Sequence, residues 1–171
     1  RKAKAWAACH KLKRIWKSDL RKEIKIRLFV ALIESVLLCG AETWTMTKKL
    51  DKVLDGCYTR MLRMALNVNQ YRDRITNHEL YGNLPRVSAK VRQRRLRLAG
   101  HAARHPELSL HKVLLWEPSH GRRSRGRPKI TFVKTLLLDT GVETTRELET
   151  LMLDRDGWRN FIHDPRAQDP P

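Results

Sequence analysis

RVSAKVRQRRLRLAGHAARH, residues 86 to 105, has the periodicity of a helix and most of the chain's chemistry. At about 100° per residue, Arg86, Lys90, Arg94, Arg97, His101 and Arg104 fall within roughly a third of the circumference, beside an apolar strip of Val87, Val91, Leu98 and Ala102. A helix that buries one strip and presents a basic ridge alongside it can follow a phosphate backbone, because Arg and Lys neutralise phosphates and release counterions. Alone, the pattern also suits a solvated charged face. The rest of the chain decides between the two.

Composition favours the first. The 171 residues hold 36 Lys+Arg against 18 Asp+Glu, a formal net charge of +18, with a pI near 10.6. Such a balance implies an acidic ligand. The excess is uneven: residues 142 to 171 hold only 4 basic and 7 acidic side chains, so this tail is expected to stay outside the binding surface. Anionic membrane is the competing partner, but interfacial helices need a broad apolar face with aromatic anchors, and residues 86 to 105 contain no aromatic. The longest apolar run, Ile26 to Cys39, is interrupted by Arg27 and Glu34 and falls short of the roughly 20 residues of a membrane span. It reads as a buried helix, and no membrane partner is expected.

Working outward, the apolar spacing is helical throughout. Ala5, Ala8, Cys9, Leu12, Ile15 and Trp16 predict an amphipathic helix over 3–17. Ser18 or Asp19 then caps a core helix over 21–39, with Gly40 as its stop. After Thr47, the recurrence of Leu50, Val53, Leu54, Cys57, Met61, Leu62, Ala65 and Val68 predicts a third helix. Thr76 and Glu79 form a capping-box pattern opening a short helix over 77–81. Gly82 and Asn83 break it, and Pro85 suits the first turn of the basic helix. Short helices are expected over 108–116, 131–140 and 145–152, with a last one capped by Asp154. No period-two alternation persists anywhere, so the fold class is all-α. The expected organisation is a helical bundle over 1–68, a basic helical connector over 69–116, a basic Gly/Pro linker over 117–130, short C-terminal helices over 131–164 and a frayed tail over 165–171.

Catalytic patterns are missing. The chain has no Walker loop, G-x-G-x-x-G, H-E-x-x-H or G-x-S-x-G, and its carboxylates outside the tail are scattered singly, whereas two-metal phosphoryl transfer needs them clustered. It is expected not to act as an enzyme by itself and to need no cofactor. His101 and His105 have the spacing of a zinc pair, but no Cys-x-x-Cys or second close pair completes four ligands. Cys9, Cys39 and Cys57, an odd number in apolar helical surroundings, are expected to be packed free thiols. Most of the tryptophans, at 6, 16, 44, 116 and 158, sit among periodic apolar residues and are expected to anchor cores. Arg122, Arg123, Arg125, Arg127 and Lys129 extend the basic surface through the linker, and Arg125-Gly126-Arg127-Pro128 has the core of an AT-hook, whose extended Arg-Gly-Arg enters a narrow minor groove. A basic turn-forming linker reads the same way.

An ordered series of motifs runs nearly the length of the chain: Ile15-Trp16-Lys17-Ser18, Lys25-Ile-Arg-Leu-Phe29, Ser35-Val-Leu-Leu-Cys-Gly-Ala-Glu-Thr-Trp44, Arg60-Met-Leu-Arg63, Ile75-Thr-Asn77, Arg94-Arg-Leu-Arg-Leu-Ala-Gly-His101, Gly126-Arg-Pro128 and Asp154-Arg-Asp-Gly-Trp-Arg159. In this series the chain resembles the C-terminal region of LINE-type (non-LTR) retrotransposon reverse transcriptases, the part that follows the palm. The resemblance implies a thumb over 1–68 and then a basic connector holding the template–primer duplex, an RNA–DNA hybrid or duplex, through backbone contacts at the residues named above. It also implies that the palm and fingers, which carry polymerase chemistry, belong to a longer polypeptide acting in the nucleus and travelling through the cytoplasm as a ribonucleoprotein. A start at Arg1 rather than methionine is what a fragment of that reading frame would show. Two other classes stay open: a separate minor-groove DNA-binding protein using the hook, and a decayed remnant without a ligand.

Overall fold

The computed structural model describes residues 1–116 and 130–163, and all regular structure among them is helical. The chain forms two compact units. The first comprises Arg1–Gly40 and Thr47–Lys90; the second comprises Ala41–Met46 and the chain from Val91 onward.

The first unit begins with α1 (Lys2–Lys11) and α2 (Lys13–Trp16), one amphipathic stretch broken at Leu12. Next come α3 (Lys22–Leu28), a π-helical turn Phe29–Glu34 and α4 (Ser35–Leu37). The run Ile26 to Cys39, read as a buried helix, packs on one side, led by Phe29, Ile33 and Leu37, while Leu32 is exposed. That side faces α1 and α5 (Lys48–Ala65), where Cys57, Tyr58, Met61, Leu62 and Ala65 complete the core. Trp16 anchors the corner: its indole donates to Cys9 O at 2.9 Å, and Lys25 Nζ donates to Trp16 O at 2.8 Å, satisfying a carbonyl at the end of α2.

Threonines start four of the helices. Thr47, Thr76, Thr131 and Thr144 each accept a backbone N–H three residues on, and at Thr76 the Glu79 carboxylate returns the bond to complete the capping box of α7 (Asn77–Tyr81). The polar stretch before it contains a turn of helix that periodicity does not predict, α6 (Gln70–Asp73), held by Asn69 Oδ1 accepting from the amides of Tyr71 and Arg72.

The basic helix, α8 (Val87–Ala103), passes from the first unit into the second, the chain dividing there between Lys90 and Val91. Polar pairing is the reason. Ser88 bonds Asp55 of α5 through its amide at 3.0 Å and its hydroxyl at 2.8 Å, whereas Arg95 Nη1 donates to Trp44 O at 2.7 Å and so gathers Ala41–Met46 into the second unit. There α8 packs with α9 (Ser109–Leu114), α10 (Phe132–Thr140), α11 (Thr145–Leu153) and α12 (Arg155–His163) around Leu96, Ala99, Leu136, Leu148, Met152 and Trp158. Gly141, at φ +72°, ends α10 in the left-handed conformation glycine tolerates best. No helix among the described residues is long and apolar enough to cross a membrane.

Candidate nucleic-acid interface

The six ridge residues meet different fates. In the first unit Arg86 is exposed, but Lys90 is withdrawn from solvent: its Nζ lies 2.6 Å from Glu34 Oε2, with side chains 16% and 6% exposed. Tyr58 OH donates to the same oxygen at 2.6 Å. Lys90 therefore neutralises a buried carboxylate and is not a free phosphate contact, a correction to the ridge.

In the second unit, Val91, Arg95, Leu96, Ala99, Gly100, Ala102 and Ala103 bury most of the circumference of α8, and the arc left open carries Arg94, Arg97, His101 and Arg104. Arg97 and His101 are exposed, while Arg94 and Arg104 are half-buried. Arg104 has a second task, donating from Nη1 to Met152 O at 2.6 Å, a carbonyl in the last turn of α11 that lacks a helical partner. The rings of His101 and His105 lie with centroids 4.3 Å apart and planes tilted by 48°, and His105 Nδ1 lies 2.8 Å from Glu107 Oε1. Among the described residues no group of three or more His, Cys, Asp or Glu could hold a metal ion.

Two distant motifs meet here. Trp158, in the Asp154-Arg-Asp-Gly-Trp-Arg159 stretch, is 1% exposed and donates from its indole to Leu96 O at 3.0 Å. The close approach requires Gly100, because a Cβ there would overlap Nε1 and Cδ1 of the indole. Gly157 has a related role: its amide donates to the Asp154 carboxylate at 3.1 Å at the start of α12, and a Cβ would strike that carboxylate. With α12 docked so, Arg155, Arg159 and His163 join Arg97 and Arg104 around one cleft of about 530 Å³.

The charge of that cleft is almost all positive, with Asp156 the one carboxylate lining it. Arg97, Arg155 and Arg159 are exposed, and among the described residues none of them is ion-paired. The opposite side of α8 shows what a paired arginine looks like. Arg95, 3% exposed, places Nε and Nη2 each 2.7 Å from Asp139 Oδ2, and Arg92 bonds the Asp139 carbonyl. Burial pushes the Asp139 carboxyl above its ordinary range while Arg95 and Arg92 pull against it. Burial likewise lowers the Arg92 guanidinium. These two arginines hold the fold.

The C-terminal stretch, expected to stay outside the binding surface, places Arg155 and Arg159 in the same cleft as Arg97 and Arg104. Their spacing held the signal, since positions 155, 159 and 163 form an i, i+4, i+8 stripe beside the apolar Trp158 and Ile162. Net charge averaged over the segment hid it. Two packing expectations also change: Trp116 is 66% exposed, and of the three free thiols Cys39 is exposed while Cys9 and Cys57 are buried. Arg122, Arg123, Arg125, Arg127 and Lys129, with the hook, and the tail over 165–171 lie outside the described residues. No family model matches the chain, and neither a curated protein nor a solved structure matches it.

Proposed function

We propose that the chain is a non-catalytic, nucleic-acid-binding part of a LINE-type retrotransposon reverse transcriptase, gripping the backbone of the template–primer duplex in the α8–α12 cleft. The observation that carries this reading is the convergence of unpaired Arg97, Arg155 and Arg159 on one cleft. Arginines four apart on a helix are spaced about 6 Å along its axis, near two phosphate steps of about 3.4 Å each. Such contacts position a duplex without reading its bases, as a polymerase holding any template requires. The motif resemblance supplies the parent enzyme.

The test is titration of the full chain with an RNA–DNA hybrid, duplex RNA and duplex DNA of AT-rich and GC-rich sequence. Arg155→Gln with Arg159→Gln is expected to weaken binding at least tenfold on each, about 1.4 kcal/mol, regardless of sequence. A preference for AT-rich duplex beyond tenfold, abolished by Arg125→Ala with Arg127→Ala and untouched by the cleft variant, would replace this reading with minor-groove binding through the hook.

A further inference from the structure

The first unit holds a second cleft, of about 350 Å³, lined by residues of α1 and α2 and by the end of α5 with the loop that follows. Its charged and polar lining includes His10, Lys13, Lys17, Arg63, Asn69 and Arg72, with no carboxylate among the lining residues. Arg72 is shared with Asp73 at 3.3 Å, but Lys13 and Lys17 are exposed and among the described residues have no ion-pair partner.

Arg63 separates this cleft from an ordinary basic surface. It is only 8% exposed. Its Nη2 donates to Ile75 O at 2.8 Å and to Asn77 Oδ1 at 2.9 Å, which fixes the plane of the guanidinium. Its Nη1 is buried and has no hydrogen-bond partner. Buried polar groups in folded proteins are almost always satisfied, and a charged donor left over calls for a missing acceptor. The guanidinium fork matches phosphate oxygens, and lysines add charge without directional demand. We infer that this cleft is a phosphate-binding site, in which Arg63 Nη1 meets a phosphate oxygen and Lys13 and Lys17 neutralise its charge. The site is distinct from the α8–α12 cleft, with which it shares no residue, and does not rest on the polymerase reading.

The experiment uses the full chain carrying Arg155→Gln and Arg159→Gln, so that the second unit's cleft is weakened. Inorganic phosphate is titrated against chloride at matched ionic strength while the thermal midpoint is followed. A saturable rise specific to phosphate is expected, and Lys13→Gln with Lys17→Gln, two exposed positions that leave the core intact, should weaken the apparent affinity at least tenfold. Arg63→Lys, if it folds, should do the same. A midpoint that follows chloride alone, or an affinity unchanged by the lysine pair, overturns the site. Short single-stranded oligonucleotides with and without a 5′-phosphate identify the source. A lysine-dependent gain from the terminal group marks a strand end, and equal lysine-dependent binding marks the internal backbone.

Discussion

Gly100 and Trp158 fit together because the helix surface at position 100 ends at its backbone. Gly100→Ala is therefore expected to displace the indole, break its bond to Leu96 O and destabilise the second unit by about 1–3 kcal/mol, measured by denaturant unfolding against Gly56→Ala, where a Cβ meets nothing within 4 Å. A second prediction concerns Tyr58. Burial first, and then the charge of Glu34, hold its phenol protonated far above the ordinary value of 10.0. With the native pKa raised, the stability tied to the neutral phenol is complete below about pH 10 and is lost as pH climbs toward the native value, because only the unfolded chain ionises in that window. Tyr58→Phe should cost about 1–2 kcal/mol at pH 8 by depriving Glu34 of a donor. The same change should flatten the fall in stability between pH 8 and 11, read from urea midpoints of both proteins. Neither residue's part is written locally: Gly100 is a glycine outside the apolar strip of α8, and Glu34 is 24 residues from Tyr58.

Along α8, periodicity reveals which side chains share a face but not which of them are already paired. Lys90 and Arg97 stand on one wheel arc, yet Lys90 meets Glu34, 56 residues away in sequence, while Arg97 points into a cleft. Arg95 meets Asp139 across 44 residues. The helix start at Thr76 was legible because a capping box is a short-range event, whereas the cap expected at Ser18 or Asp19 does not form and Arg21 precedes α3 without a side-chain bond. Ion pairing was not legible, since the partner is chosen by the tertiary fold. The two ridge residues should then part under mutation. Lys90→Gln is expected to destabilise the first unit by about 3–5 kcal/mol, the cost of leaving a buried carboxylate unpaired. Arg97→Gln should change stability by less than about 0.5 kcal/mol and weaken nucleic-acid binding. Chemical denaturation and duplex titration of the same two variants check both halves.

Across the whole molecule, charge distribution along the chain is a poor guide to charge distribution in space. The segment after 141 is acidic in sum, yet its Arg155 and Arg159 line the cleft with Arg97 and Arg104 because Trp158 buries the intervening face of α12. The motifs Arg94–His101 and Asp154–Arg159 thus meet in one glycine–tryptophan contact, beside which Arg97, Arg155 and Arg159 stay outward. The claim that this cleft neutralises a phosphate backbone is tested most directly by the salt dependence of binding. The logarithm of the association constant for duplex DNA is measured against the logarithm of salt concentration, for the parent and for Arg97→Gln with Arg155→Gln and Arg159→Gln. The slope should become shallower by up to about 0.9 for each arginine that contacts a phosphate, with unfolding midpoints unchanged. A folded triple variant whose slope and affinity equal the parent's would contradict the account.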